Sequence, residues 1–273
     1  AIAEEDSETP YMTRRAMEFM EARDGPWLCH LSYIKPHWPY IVPAPYHDMY
    51  GPNQVLPAVR SEAEREAAHP VFRAFMDGPV GRAFAREEVR RAVIPAYMGL
   101  IKQADDQLGR LFAWMEESGR MADTMIVISS DHGDYLGDHW LGEKDLFHEP
   151  SVRMPLIIYD PAPEADAARG TVCDRPVESI DLAATFVEAA GGTVPDHIIE
   201  GRSLLPLLRG GDPDPWRDWV VSEYDYGMHG VAAALGVAPR DARLFMIADA
   251  RWKFVHAEGF RPQLFDMQED PEE

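Results

Sequence analysis

Cysteine is scarce in this chain, and long apolar runs are missing. Its two cysteines, Cys29 and Cys173, form no disulfide framework, so a reducing compartment is the default expectation. No stretch approaches the length of a membrane span, and no signal peptide opens the chain. We therefore expect a cytoplasmic protein with no membrane partner. The chain starts with Ala-Ile-Ala-Glu-Glu rather than with Met, which leaves a periplasmic location open.

Basic residues are also few relative to acidic ones. The 273 residues carry 26 Lys and Arg against 47 Asp and Glu, a formal net charge of -21. Such a surface repels nucleic acid and anionic membranes, so neither is an expected partner. If the substrate is an anion, its site must supply local positive charge, as a metal ion with His and Lys would do. The hydrophobic content of 46% suits one large domain or two smaller ones.

The most informative segment is an apolar, β-branched run from Met125 that ends in Asp131 and His132. Parallel strands of α/β proteins present their chemistry at such carboxyl ends. A carboxylate oxygen and an imidazole nitrogen can together hold a divalent cation. His139 and Lys144 follow, and both can face an anion. The grouping indicates a metal-assisted site for a sulfate, phosphate or phosphonate ester, although Asp-His-Gly is also a common turn.

Helices and strands alternate over the first part of the chain. Periodicity predicts a helix from Ser7 to Asp24, a buried strand at Trp27–Ile34 and a long helix at Glu87–Ser118 that Pro95 should begin or kink. We expect its buried face to contain Ile101, Ala104, Leu108, Leu111 and Met115. Further strands are expected at Met125–Ser130 and Pro155–Tyr159. This order indicates a largely parallel sheet.

The pattern changes after Trp216. Short strands are expected at Trp219–Glu223, Leu244–Ala248 and Lys253–His256, with a hairpin connection at Asp249-Ala250-Arg251. These strands predict a smaller antiparallel unit.

Several blocks occur in one order along almost the whole chain. They are Leu31–Pro39, Ser130–His139 with Gly142-Glu-Lys144, Arg153–Ile157, Glu178–Phe186 with Gly201–Pro206, and Arg251–His256 with Leu264–Glu272. In this order they resemble the sulfatase family of the alkaline phosphatase superfamily. Within that family the likeness is greatest to phosphonate monoester hydrolases and related arylsulfatases. The resemblance implies an α/β fold with a mostly parallel, alkaline-phosphatase-like sheet flanked by helices over residues 1–215. A small C-terminal antiparallel subdomain would span residues 216–273.

The resemblance also implies roles for five residues. Asp131 and His132 would be ligands of one divalent metal ion, Ca, Mn or Mg, with Zn open. Lys144 would pair with a non-bridging oxygen, where charge concentrates in the transition state. His37 would hydrogen-bond substrate oxygens or protonate the leaving group. His139 would bind substrate in the pocket or orient a neighbouring group.

Other side chains receive weaker expectations. Arg153 is expected to be structural, pairing with an acid that fixes the metal loop. His148, Tyr224 and His229 could contribute to the pocket rim, although nothing in their spacing compels it.

The nucleophile of the family is missing from the sequence. Sulfatases carry it as a Cys within Cys-x-Pro-x-Arg, oxidised to formylglycine, and neither Cys29 nor Cys173 has that context. The resemblance therefore implies the C-terminal portion of a hydrolase of small anionic esters, with formylglycine outside this chain. Alone, the chain should be inactive and bind metal weakly.

Two other interpretations stay open beside this one. The first is a phosphodiesterase or phosphatase of the same superfamily, with a Ser or Thr nucleophile and two metals. The second is a non-catalytic interaction domain that keeps the fold. The sequence does not decide whether the protein is a homo-oligomer.

Overall fold

The computed structural model describes residues 2–273, which form two compact units. The first unit contains the residues up to Ala58 together with Ala83–Thr124, and the second contains Val59–Arg82 and Met125–Glu273. Helices and strands both occur, as the predicted α/β class requires. Residues 216–273 lie within the second unit, and the predicted subdomain boundary at residue 216 stays a prediction.

Helices supply most of the regular structure. In chain order they are α1 (Glu8–Glu21), α2 (Glu62–Ala67), α3 (Pro70–Met76), α4 (Pro79–Phe84), α5 (Glu87–Glu117), α6 (Glu149–Val152), α7 (Asp181–Ala189), α8 (Leu205–Leu208) and α9 (Gly230–Leu235). Among residues 2–273, none of these is both long and apolar enough to cross a membrane.

The first unit is built on the packing of α1 against α5. Helix α5 has the predicted extent and runs through Pro95 rather than beginning there. Its buried face differs in part from the predicted one: Leu111 and Met115 are buried, but Ile101 is 46% exposed. Gln103 and Gln107 are buried instead, because their amides donate to Ser7 Oγ at 2.7 Å and Glu4 Oε1 at 2.6 Å. Hydrogen bonds satisfy these amides and so allow polar side chains to face the helix interface.

Strands β1 (Ile126–Ser129) and β2 (Leu156–Tyr159) form a two-stranded sheet in the second unit. They pair antiparallel, with Ile126 opposite Tyr159 and Ser129 opposite Leu156. The predicted parallel pairing of strands is therefore not present among the described residues. The side chains of residues 27–34 alternate between half-buried and exposed, but this segment pairs with no strand and the expected strand does not form.

A four-stranded antiparallel sheet closes the chain, as predicted. It contains β3 (Val220–Asp225), β4 (Arg243–Ala248), β5 (Trp252–Ala257) and β6 (Gln263–Asp266), each hydrogen-bonded to the next. The predicted hairpin is confirmed, since Asp249 Oδ1 accepts from the backbone N–H groups of Arg251 and Trp252.

The core of the second unit connects this sheet to the segment that follows β1. Its buried side chains come from α3, from residues 135–147, from α9, and from the sheet with the residues that flank β3 and β4. They are Val71, Phe72, Met76, Tyr135, Leu141, Leu146, Phe147, Tyr226, Ala232, Ala242, Leu244, Met246, Val255 and Ala257. The segment that carries the predicted site is therefore packed into the core.

Candidate active site

Asp131 and His132 lie directly after β1, as the sequence predicts. The Asp131 side chain is 88% exposed, and its Oδ2 lies 3.6 Å from His132 Nε2. His132 Nδ1 lies 2.8 Å from the carbonyl oxygen of Gly133. Because a carbonyl only accepts, Nδ1 carries the proton in the neutral ring and Nε2 carries the lone pair. In metal sites a backbone carbonyl commonly fixes the tautomer and the ring orientation of a ligating histidine in this way.

These two donors fit part of a metal site. A carboxylate oxygen beside an imidazole Nε2 suits a divalent cation of intermediate hardness. Within residues 2–273, however, no cluster of three or more His, Cys, Asp or Glu side chains has a geometry suited to a metal ion. Asp131 and His132 could therefore supply two ligands of a larger set.

The signature loop, residues 133–148, has an unusual backbone. Leu136, His139, Trp140, Glu143 and Asp145 all have positive φ, between 47° and 103°. Only one other non-glycine residue among those described, Glu273, shares this conformation. Such angles cost energy in L residues, and they persist at functional sites where the surroundings enforce them.

Residues 59–61 hold the outer part of this loop. Val59 O accepts from His139 N at 2.8 Å, and Asp138 Oδ1 accepts from Val59 N at 2.9 Å. The Trp140 indole donates to Ser61 O at 2.9 Å. These contacts link positions about 80 residues apart in sequence, and they explain how so many strained residues keep one conformation.

Buried aromatic side chains hold the inner part. The imidazoles of His139 and His148 stack with centroids 4.0 Å apart. Tyr135 Oη lies 2.9 Å from His148 Nδ1, and Glu64 Oε1 lies 2.7 Å from His139 Nδ1. Burial lowers the pKa of His148 well below its usual value, and the neighbouring His139 and Lys253 lower it further. Burial raises the pKa of Tyr135. His148 is thus held neutral at the base of the loop.

This position bears on the roles expected for His139 and His148. Both are only 2 to 3% exposed, so His148 lies beneath the surface rather than at a pocket rim. For His139, the hydrogen bond to Glu64 suits the expected orienting role. Direct contact between His139 and substrate stays a prediction.

Lys144 lies at the end of the strained stretch. It is half-buried and stands between Glu143 and Asp145, both with positive φ. The Tyr224 oxygen lies 2.8 Å from His229 Nε2, and burial together with the charge of Asp145 raises the pKa of Tyr224. Tyr224 and His229 therefore pair with each other, and the expected role of both at a pocket rim stays a prediction.

A buried lysine anchors the far end of the loop. Lys253 Nζ donates to Phe147 O at 3.0 Å, Glu149 Oε1 at 2.7 Å and Glu273 Oε1 at 2.8 Å. Its side chain is only 2% exposed. No sequence signal distinguishes it, since its partners lie 104 to 106 and 20 residues away. Arg153, by contrast, is 82% exposed, and its pairing with an acid is a single 3.4 Å contact with Glu149.

His37 lies in the first unit, in a loop fixed by its own backbone. Its amide N–H donates to Ile34 O at 3.0 Å, and its Nδ1 lies 2.9 Å from Trp38 O. Lys35 Nζ donates to the carbonyl groups of His37 and Pro39, at 3.2 and 2.6 Å. In the neutral ring Nδ1 therefore carries the proton, and Nε2 is the basic nitrogen of His37. Its role toward substrate stays a prediction.

Comparison with known proteins identifies the family. A sulfatase family model matches residues 6–192, and a model of the C-terminal part of N-sulphoglucosamine sulphohydrolase matches residues 137–273. Because the first covers more than half of the chain, this protein belongs to the sulfatase family. The prediction from the sequence motifs, that the chain is a member of the sulfatase family within the alkaline phosphatase superfamily, is thus confirmed.

Individual relatives agree with this placement. The chain is 36% identical to the multifunctional alkaline phosphatase superfamily protein PehA of Trinickia caryophylli, over all of this chain and 55% of that protein. It is similar in structure to a phosphonate monoester hydrolase of Silicibacter pomeroyi, with a TM-score of 0.87 and 31% identity over 97% of this chain and 55% of the other. It is also similar in structure to the phosphonate monoester hydrolase of Agrobacterium radiobacter. The TM-score is 0.89, with 28% identity over 100% of this chain and 56% of the other. The chain spans about half the length of these relatives.

Proposed function

We propose that this chain is the metal-binding and charge-stabilising part of a hydrolase of sulfate, phosphonate or phosphate monoesters. The observation that carries the proposal is Asp131 beside His132 at the end of β1, followed by a strained loop that presents Lys144. Family membership and relatives named as phosphonate monoester hydrolases support it. The substrate would be a small anionic ester, and the location cytoplasmic.

Each residue has a proposed task. Asp131 and His132 would hold one divalent cation, Ca, Mn, Mg or Zn, which supplies Lewis-acid polarisation of an ester oxygen. A formylglycine outside these 273 residues would supply the nucleophilic oxygen. Lys144 would stabilise charge on the non-bridging oxygens, where a fixed cation helps most in the transition state. From the resemblance of its Pro-His-x-Pro loop, His37 would hydrogen-bond substrate or protonate the leaving oxygen.

Activity of the full-length protein tests the proposal. We expect turnover of nitrophenyl sulfate or nitrophenyl phenylphosphonate, and a loss of roughly 100-fold or more in kcat for Lys144→Ala. Hydrazide labelling should detect the formylglycine aldehyde. A Ser or Thr nucleophile in its place would favour the phosphatase or phosphodiesterase interpretation, and turnover untouched by Asp131→Ala would favour a non-catalytic domain.

The chain itself tests the metal site. Asp196 and His197 form a second Asp-His pair, with both side chains exposed, and serve as a matched control. Mn²⁺ should broaden NMR signals near Asp131 and His132 at lower concentration than signals near the control pair, and Asp131→Ala should abolish the difference. Binding should be weak because these two donors are only part of a ligand set. Equal broadening at both pairs would contradict the assignment.

A further inference from the structure

Tyr135 contacts the signature loop at two places, one on each side of Lys144. Its backbone N–H donates to Glu143 O at 2.8 Å. Its hydroxyl oxygen accepts from the backbone N–H of His148 at 3.2 Å and lies 2.9 Å from Nδ1 of the same residue. One residue therefore fixes both ends of the segment 143–148, in which Lys144 is the second residue.

The Tyr135 hydroxyl uses both of its hydrogen-bonding capacities at His148. A backbone N–H only donates, so the hydroxyl oxygen accepts from it. The hydroxyl proton can then be donated to Nδ1, which accepts when the ring is neutral. Burial lowers the pKa of His148 and raises the pKa of Tyr135, so the ring stays neutral and the hydroxyl keeps the proton that it donates. Loss of the hydroxyl therefore removes both contacts together.

The segment between these contacts needs support because of its backbone. Glu143 and Asp145, the two neighbours of Lys144, have φ values of 56° and 103°. Such angles are unfavourable for L residues and persist only where the surroundings enforce them. The Tyr135 amide acts directly on the first of these strained residues. The Tyr135 hydroxyl holds the other end of the segment, beyond both of them.

We propose that Tyr135 is a positioning residue that holds residues 143–148 in their strained conformation and thereby sets where Lys144 presents its charge. This inference rests on the proposed function, in which Lys144 stabilises charge on the reacting group. A small misplacement of such a group lowers the rate strongly. Tyr135 is only 1% exposed, so it acts through the loop and has no role toward substrate of its own.

Tyr135→Phe in the full-length protein tests the inference, since it removes the hydroxyl and leaves the ring in the core. We expect kcat for nitrophenyl phenylphosphonate to fall roughly tenfold. KM should change little, because the charge that Lys144 stabilises develops in the transition state. In a Lys144→Ala background the same change should have less than about a twofold effect, because the group that Tyr135 positions is gone.

Tyr226→Phe is the matched control. Tyr135 and Tyr226 are both at most 1% exposed and belong to the same core, but within residues 2–273 the buried hydroxyl of Tyr226 has no hydrogen-bond partner. This variant should leave kcat unchanged. An equal loss for Tyr135→Phe with and without Lys144, or no loss beyond that of Tyr226→Phe, would overturn the inference.

Hydrogen exchange of the full-length protein separates this inference from the proposed function. Backbone amides of residues 143–148 should exchange faster in Tyr135→Phe than in Tyr226→Phe, whether or not the protein hydrolyses esters. Amides of β4 and β5 should exchange alike in the two variants, and faster exchange there as well would contradict a local role. Absent turnover in the unmodified protein would refute the proposed function alone. Equal exchange at residues 143–148 in the two variants would refute the positioning role of Tyr135.

Discussion

The buried imidazole of His148 should make this protein less stable in mild acid. Burial, His139 and Lys253 all lower its folded-state pKa well below the usual 6.5, and Tyr135 Oη contacts Nδ1 at 2.9 Å. In the unfolded chain the ring regains an ordinary pKa. The stability that the neutral His148 ring contributes is therefore fully present above about pH 6.5 and is lost as the pH falls below that value.

The size of the effect follows from the proton count. Between about pH 7.5 and about pH 5.5 the unfolded state takes up close to one proton at His148 that the folded state refuses, which costs about 1.4 kcal/mol. Burial also lowers the pKa of His69, so the whole protein should show a somewhat steeper dependence. The measurement is urea unfolding of this chain at several pH values.

His148→Asn isolates the contribution of this ring. The Asn amide can replace Nδ1 toward Tyr135 but does not titrate. It should lower stability at every pH and remove about 1.4 kcal/mol of the difference between about pH 7.5 and 5.5. His197→Asn, at a 76% exposed side chain, should leave the difference unchanged. A His148→Asn variant with the full wild-type pH dependence would refute the reasoning.

Two further predictions concern close packing and a buried ion pair. A Cβ at Gly133 would lie 1.9 Å from Pro150 O. Gly133→Ala should therefore lower the midpoint of thermal unfolding and weaken Mn²⁺ binding. Gly230→Ala is the control and should change neither, because the space around Gly230 is open. Arg217 donates to both carboxylate oxygens of the fully buried Asp181, so Arg217→Met should cost about 3–5 kcal/mol in urea unfolding by leaving that charge unpaired. An unchanged midpoint for Gly133→Ala, or a loss below about 1 kcal/mol for Arg217→Met, would contradict these assignments.

Local sequence signals predicted the elements whose cause is local. Alternating apolar residues and the Asp249 turn predicted the C-terminal hairpin, because strand and turn chemistry depend on neighbours in sequence. The end of β1 placed Asp131 and His132 side by side for the same reason. The extent of α5 followed from its periodicity.

Contacts between residues far apart in the chain could not be predicted from the sequence. The buried face of α5 could not be predicted, because Gln103 and Gln107 are buried only through partners near residue 5. Nor does any spacing connect Glu64 to His139 or Lys253 to Phe147. The positive φ values at residues 136–145 have no signal either, since most of these residues are not glycine or asparagine.

The net charge of the whole chain does not by itself decide whether an anionic ester can bind at one site. A net charge of -21 should repel an anionic ester, yet exposed charges beyond about 8 Å are screened at physiological salt. Two carboxylates that contact the signature loop or its end are held by specific partners: Glu64 by His139 and Glu149 by Lys253. Net charge therefore bears on long-range repulsion, whereas the binding of a small anion depends on the charged groups within a few ångströms of it.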